Sequence, residues 1–307
     1  MTPPKTIRRR LTLVLTLALA PGLAGCATLS SAAASGRPLV VAAENVWGSI
    51  ARQLGGGRVN VTSIVTNPNA DPHDYEPTVD DARQMADARF VIVNGVGYDP
   101  WAQKLLDANP VPGRVVLSVG HLVGVPDGGN PHLWYSPTVV LRVVDAITAE
   151  YRRLLPGEAT AFDRRRDWFL TQGLGTYHAL IAEIRATYEG VPVGASESIF
   201  VPLAHALGLD LVTPTSFLTA VSEGVEPTTS DKTTIDRQIR DRRIELYVYN
   251  RQNATPDVQR QIDEARRNNI PVTTITETLV PAGATFQAWQ VAQLRSILSA
   301  LERATGR

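Results

Sequence analysis

Phe90-Val91-Ile92-Val93 is a wholly apolar run in which three of the four residues are β-branched. Such runs are typical of strands buried on both faces of a parallel sheet, because these strands have no solvated face. Similar runs recur along the chain, and stretches of helical periodicity separate them. They cover residues 38–42, 59–65, 115–117, 191–195, 209–212, 244–249 and 272–275. This alternation predicts an α/β protein with two lobes, each a roughly four-stranded parallel sheet with helices on both faces.

A mostly helical stretch separates the two sets of strands. The pattern predicts one helix over residues 137–155 and a longer one over 158–188, which would join the lobes. Gly173 and Gly175 weaken the case for an unbroken second helix, since each glycine costs up to about 1 kcal/mol relative to alanine. We expect an N-terminal lobe over 37–155, a connecting helix over 156–190 and a C-terminal lobe over 191–307. A long helix between lobes would act as a stiff strut and allow only modest lobe movement.

The N-terminus has the layout of a secretory signal peptide over residues 1–25. A basic segment that includes Arg8, Arg9 and Arg10 precedes an apolar run over 11–20, which is too short to span a bilayer. Leu23-Ala24-Gly25-Cys26 resembles a lipobox, and the resemblance implies cleavage before Cys26 and lipid attachment to its sulfur. Residues 26–36 would then form a lipidated flexible tether. We therefore expect an extracytoplasmic lipoprotein anchored to the cell membrane.

Charge and cysteine content exclude several classes of function. The whole chain carries 30 basic and 30 acidic residues, and loss of a leader with four basic residues leaves a net charge of −4. A negative net charge argues against nucleic acid as a partner. Cys26 is the only cysteine, so the chain has neither an intramolecular disulfide nor a thiolate metal site. We expect a monomer.

Two segments place a histidine directly after a proline. They are Asp71-Pro72-His73-Asp74-Tyr75-Glu76-Pro77 and Asn130-Pro131-His132-Leu133-Trp134-Tyr135-Ser136-Pro137. Proline fixes its own φ and biases the preceding residue towards extended conformations, so both histidines are predicted to lie in stiffened loops. Such loops suit preorganised metal ligands, although each histidine could instead only hydrogen-bond within its loop. Among the other histidines, His121 is the closest substitute because it follows the fourth strand.

Two carboxylates follow strands of the second lobe. Ligands of open α/β sheets bind beyond the carboxyl ends of the strands, where Ser196-Glu197 and Thr276-Glu277 come after the fifth and eighth strands. If the lobes face each other, both carboxylates can converge with the two imidazoles in the cleft. Position alone leaves two alternatives open, since Glu197 could cap the following helix and Glu277 could be a solvated loop residue.

Several motifs together resemble one protein family. The segments around His73 and His132 are its most specific matches, and Asn94-Gly95-Val96-Gly97 with Trp101 is a lesser one. The chain is similar, from residue 38 to its end, to the zinc- and manganese-binding proteins of bacterial ABC importers, also called cluster A-I or cluster 9. The resemblance implies two α/β lobes joined by a long helix. It also implies that His73, His132, Glu197 and Glu277 are the metal ligands. Glu277 stands where the family usually has an aspartate.

The resemblance implies capture of Mn²⁺ or Zn²⁺ as cargo and its delivery to an ABC permease. Two imidazoles and two carboxylates supply between four and six donor atoms, depending on whether each glutamate binds through one oxygen or two. Imidazole suits zinc, whereas carboxylates shift the preference towards manganese. Residues 118–131 lack the His- and acid-rich loop of many zinc importers, which slightly favours manganese.

Two other functions are weaker alternatives. A metal-dependent hydrolase would need an open coordination position and a general base, yet the chain has no His-Glu-x-x-His or Gly-x-Ser-x-Gly motif. A lipoprotein that binds an organic solute or a surface partner would need an aromatic pocket, and aromatic residues make up only 6% of the chain.

Overall fold

The structure is a computed structural model that describes residues 1–2, 36–69 and 72–307. The predicted lipidation site Cys26 lies outside these residues, as do all but the ends of the predicted signal peptide and tether. Contacts separate Met1–Gly36 from Arg37–Arg307, and the second of these is one compact unit. Within the described residues, no helix has both the length and the apolar character needed to cross a membrane.

The first lobe is built on a parallel sheet of four strands. The strands lie in the order β2-β1-β3-β4, so that β1 and β3 are central. The elements are β1 (Leu39–Glu44), α1 (Asn45–Gly55), β2 (Asn60–Val65), α2 (Val79–Asp87), β3 (Phe90–Val93), α3 (Pro100–Ala108), β4 (Val115–Ser118) and α4 (Val119–Val123). In the register of the sheet, Val40 pairs with Val61 on one side and with Phe90 on the other.

The second lobe repeats this topology, with strand order β6-β5-β7-β8. Its elements are β5 (Pro192–Ala195), α8 (Val201–Leu207), β6 (Asp210–Leu211), α9 (Thr215–Ser222), α10 (Thr229–Arg240), β7 (Leu246–Asn250), α11 (Pro256–Arg267), β8 (Val272–Ile275) and α12 (Phe286–Thr305). Along the chain, the two sets of strands are separated by the helices α5 (Pro137–Leu154), α6 (Ala159–Trp168) and α7 (Gly175–Tyr188). The predicted fold of two four-stranded parallel lobes is confirmed.

The helical connection between the lobes is divided near its middle. A π-helical turn over Phe169–Gly173 separates α6 from α7, at the glycines that weakened the prediction of an unbroken helix. π-Turns are rare and locally widen a helix. The connection is therefore two helices joined at Phe169, whose side chain is completely buried.

Local signals explain where several helices begin. Thr78 and Asp81 form a capping box at the start of α2. The Thr255 side chain accepts a hydrogen bond from Val258 N, and Pro256 takes the first helical position of α11. Thr285 caps α12 in the same way. These caps satisfy backbone N–H groups that the helices themselves leave unpaired.

Both sheets direct their carboxyl ends towards one region between the lobes. β1 and β3 are neighbours in the first sheet, as β5 and β7 are in the second. After these paired strands the chain turns to opposite sides, and this leaves a crevice at their carboxyl ends in which a ligand can bind. One large apolar cluster extends through both lobes, with Val40 and Trp134 from the first lobe and Phe200 and Leu301 from the second, and two smaller clusters lie within single lobes. The α12 helix packs on α7 and also touches α1, so it joins the lobes.

Candidate metal centre

His132 is held in one orientation by Asn130. The Asn130 side-chain oxygen accepts a hydrogen bond from the His132 backbone N–H at 3.0 Å and lies 2.9 Å from Nδ1 of the ring. Because this oxygen is an acceptor, Nδ1 carries the proton, and Nε2 is the nitrogen that can bind a metal. The Asn130 side chain also donates to Ser198 O at 2.7 Å, which ties this loop to the other lobe.

The imidazole of His132 is fully buried, and Nε2 has no hydrogen-bond partner among the described residues. Burial lowers the pKa of His132 well below its usual value, and the neighbouring His73 lowers it further. A neutral ring is the form that binds a metal. The structure therefore keeps His132 ready to bind a cation.

His73 lies in the 3₁₀ turn Pro72–Asp74 that follows β2. The centroid of its ring is 5.8 Å from that of His132 and 4.7 Å from that of Tyr98. A quarter of the His73 side chain is exposed to solvent. His73 is therefore the solvent-accessible member of the histidine pair, whereas His132 is fully buried.

Glu277 reaches both histidines from the opposite lobe. Its Oε2 lies 3.4 Å from His73 Nε2 and 3.9 Å from His132 Nε2. The side chain is completely buried, so the alternative of a solvated loop carboxylate is wrong. Tyr98 donates its hydroxyl to Oε2 at 2.7 Å, and Asn250 donates to Oε1 at 2.7 Å. One potential ligand atom from each of His73, His132 and Glu277 lies within 4.8 Å of the others.

Glu197 lies beside this three-residue group but is not part of it. Asn250 donates to its Oε1 at 2.5 Å, and Asn253 donates to its Oε2 at 3.0 Å. Glu197 takes the N-cap position of the short turn Ser198–Phe200, yet its side chain makes no capping hydrogen bond. The helix-capping alternative is therefore wrong, and Asn250 connects this buried carboxylate directly to Glu277.

The remaining histidines are elsewhere. His121 is exposed on α4 and does not belong to the group around Glu277. His178 and His205 lie on α7 and α8, in line with their helical patterns.

Sequence reasoning missed the amide side chains that surround the carboxylates. Asn250 is the last residue of β7, and Gln252 and Asn253 come just after it. Gln252 Oε1 accepts a hydrogen bond from the Glu277 backbone N–H at 2.6 Å. Tyr98 lies in the turn between β3 and α3. Their position near the carboxyl ends of strands is the same signal that located Glu197 and Glu277, but an uncharged side chain there does not by itself indicate a metal site.

Comparison with known proteins identifies the family. The family model described as ZnuA, zinc-uptake complex component A, periplasmic, matches residues 40–300. The chain belongs to this family. As a member, it is the substrate-binding component of a metal-uptake complex, and the family is one of transport components rather than enzymes.

Individual relatives support this membership over most of the chain. The chain is 24% identical to the metal ABC transporter substrate-binding lipoprotein FimA of Streptococcus parasanguinis, over 85% of this chain and 86% of FimA. It is likewise 24% identical to the manganese ABC transporter substrate-binding lipoprotein PsaA of Streptococcus pneumoniae, with coverages of 85% and 86%.

Solved structures share the fold. The periplasmic zinc-binding protein TroA from Treponema pallidum superposes with a TM-score of 0.72 at 18% identity, covering 87% of this chain and 99% of TroA. The Mn-bound periplasmic metal-binding protein from Candidatus Liberibacter asiaticus gives a TM-score of 0.69 at 18% identity, with coverages of 86% and 99%.

Proposed function

We propose that this protein binds a divalent transition metal, Zn²⁺ or Mn²⁺, between its lobes and delivers it to an ABC permease. The observation that carries the proposal is the convergence of His73, His132 and Glu277, with ligand atoms within 4.8 Å of one another. Imidazole and carboxylate are the donors that zinc and manganese accept in proteins. Relatives named for manganese and for zinc binding support this choice of cargo.

Glu197 is the proposed fourth ligand. It is buried, and it shares the Asn250 amide with Glu277, so its carboxylate lies next to a residue of the three-residue group. Glu197 and Glu277 together would neutralise a divalent cation. Such neutralisation matters because an uncompensated charge in a buried site is costly.

The proposed location follows from the sequence of the leader and from the named relatives. Lipid attachment at Cys26 would hold the protein at the outer face of the cell membrane, and FimA and PsaA are both named lipoproteins. We propose that the protein works as a monomer, binds no nucleic acid and catalyses no reaction.

Metal titration of residues 27–307 tests the proposal. The metal-free wild type should bind both Zn²⁺ and Mn²⁺. We expect His73→Ala and His132→Ala to bind at least about 100-fold more weakly, since loss of an outer partner alone costs about 10–100-fold. Glu277→Ala and Glu197→Ala should also weaken binding. His121→Ala is the matched control and should bind like the wild type.

Two results would contradict the proposal in different ways. Unchanged metal affinity in both histidine variants would show that the metal does not bind at the proposed site. Losses confined to the histidine variants would leave a metal site without its glutamates.

A further inference from the structure

Asn250 links the two carboxylates of the site through a single amide group. It is fully buried at the end of β7. Its Nδ2 donates to Oε1 of Glu197 at 2.5 Å and to Oε1 of Glu277 at 2.7 Å. An asparagine amide has two N–H donors, so both are used, one on each carboxylate.

The orientation of the Asn250 side chain is fixed by its own contacts. Its Oδ1 accepts a hydrogen bond from Gln252 N at 3.0 Å, and its backbone N–H donates to Ser196 Oγ at 3.1 Å. The amide nitrogen therefore cannot turn away from the carboxylates without loss of the turn that follows β7.

This contact orients the two oxygens of Glu277 differently. Oε1 is directed at Asn250, whereas Oε2 is the oxygen nearest to Nε2 of both His73 and His132. A carboxylate that binds a metal through both oxygens must turn both towards it. Oε2 already accepts the Tyr98 hydroxyl, so turning Oε1 towards the metal as well would add the loss of the charge-assisted hydrogen bond from Asn250, and such bonds are among the strong ones.

Neighbouring amides hold the carboxylates in this arrangement. Gln252 Oε1 accepts hydrogen bonds from the backbone N–H groups of Glu277 and Thr278 at 2.6 and 3.2 Å, which fixes the backbone that carries Glu277. Asn253 holds the second oxygen of Glu197. All these partners are neutral, so they fix geometry without changing the charge available to a cation.

We propose that Asn250 is a specificity-determining residue that limits Glu277 and, together with Asn253, Glu197 to one metal-binding oxygen each, and so favours Zn²⁺ over Mn²⁺. This inference rests on the proposed function. Two imidazole nitrogens and two single carboxylate oxygens form a four-coordinate set, which is the usual arrangement for zinc. Manganese favours more oxygen ligands in an octahedral arrangement. The structure thus points away from the slight preference for manganese that the sequence suggested.

Competitive titration of Asn250→Ala and Asn250→Asp tests the proposal on residues 27–307. Alanine removes both donors and adds no ligand, so it is the decisive variant. Aspartate keeps the size of the side chain and the acceptor for Gln252 N, but it adds a carboxylate. Zinc binds more tightly than manganese at most sites of this type, so the informative quantity is the change in the ratio of the two Kd values. We expect the ratio of the Mn²⁺ Kd to the Zn²⁺ Kd to fall at least about 10-fold in both variants. Without the bonds from Asn250, the Oε1 atoms of Glu197 and Glu277 can also coordinate manganese.

Asn268→Ala is the matched control. Its side-chain amide also bonds to a glutamate, Glu264, but at the end of α11, so the Kd ratio should stay at the wild-type value. A ratio within twofold of wild type in both Asn250 variants would overturn the inference while leaving the metal site intact. Failure of the wild type to bind either metal would instead overturn the proposed function.

X-ray absorption on the zinc-loaded wild type provides a test that needs no variant. Four nitrogen and oxygen ligands at about 2.0 Å are expected. Five or six ligands would overturn the inference even if the Asn250 variants failed to fold.

Discussion

Burial governs the protonation of His132. The ring is enclosed on all sides, and burial first, then the nearby His73, lower its pKa well below the ordinary value. The folded protein therefore resists protonation of this ring, whereas the unfolded chain takes up a proton near pH 6.5. The stability that depends on a neutral His132 is fully present above this pH and declines as the pH falls below it.

His132→Gln should remove this part of the pH dependence. Without metal, the wild type should lose free energy of unfolding relative to the variant as the pH is lowered from 7 to 5, because only the wild type has an unfolded state stabilised by protonation of this histidine. Urea unfolding at several pH values measures the difference. Parallel curves for the two proteins would show that His132 is not held neutral by the fold.

The sequence predicted the titratable residues of the site better than the neutral ones. His73 and His132 stand out because histidine is rare in the chain and both follow a proline. Asn250 and Gln252 carry no charge, and amides are common in loops, so composition gave no reason to single them out. Their role arises from three-dimensional proximity to Glu197 and Glu277, which a single sequence does not specify.

At the scale of elements, the turn between β3 and α3 connects both halves of the site. Gly95, Val96 and Gly97 all have positive φ, and such a conformation is strained for β-branched valine. The Asp99 carboxylate stabilises the turn by accepting hydrogen bonds from the backbone N–H groups of Asn94 and Gly95. This turn carries Tyr98, whose hydroxyl donates to Glu277. The Asn94 side chain donates to Pro131 O, next to His132.

A second buried carboxyl group, Glu44 at the end of β1, lies against Asp99. Burial raises the pKa of Glu44 well above its usual value, and the neighbouring Asp99 raises it further. Burial also raises the pKa of Asp99. Two neighbouring carboxyl groups in a dry environment cannot both be ionised at low cost, so the pair is expected to retain a proton.

The Glu44→Gln substitution should stabilise the folded protein, relative to wild type, increasingly as the pH rises. Folded Glu44 keeps its proton to a higher pH than the unfolded chain does, so its contribution to stability is present below the ordinary glutamate pKa and is lost as the pH rises towards the raised value. Glutamine needs no proton. The free energy of unfolding of the variant, relative to wild type, should therefore increase between pH 5 and pH 8. A constant difference over this range would contradict a retained proton on Glu44.

Element boundaries were predicted well where the local signal was strong. β3, β8 and α11 have the predicted limits, since apolar runs or a Thr-Pro start define them. β6 was predicted over 209–212 but covers only Asp210–Leu211. It is an edge strand that pairs only with β5, at Pro192 and Val193, and the length of an edge strand depends on a partner that the local sequence does not reveal.

At the scale of the whole molecule, the two lobes share one core and direct hydrogen bonds. Tyr135 donates to Thr276 O at 2.7 Å, and Ser49 Oγ accepts from Phe286 N at 2.9 Å. Wide opening of the cleft would expose apolar surface and break these bonds. The geometry therefore favours local movement of side chains at the cleft over large lobe rotation, and modest lobe movement stays a prediction.

Metal should stabilise the protein by mass action. At a free concentration 100 times Kd, a cation that binds only the folded state adds about 2.7 kcal/mol. In a protein of this size that corresponds to a rise in Tm of about 5–10 °C, since 1 kcal/mol shifts Tm by about 2–4 °C. Thermal unfolding with Zn²⁺ and with EDTA measures the rise. The double variant His73→Ala/His132→Ala should show none, and an equal rise in it would place the cation elsewhere.

Anomalous diffraction from crystals loaded with Zn²⁺ or Mn²⁺ tests the central claim most directly. The account predicts one strong peak between the lobes, at about 2.0–2.2 Å from an imidazole nitrogen of His73, an imidazole nitrogen of His132 and a carboxylate oxygen of Glu277. A peak at any other position, with these three side chains unligated, would contradict it.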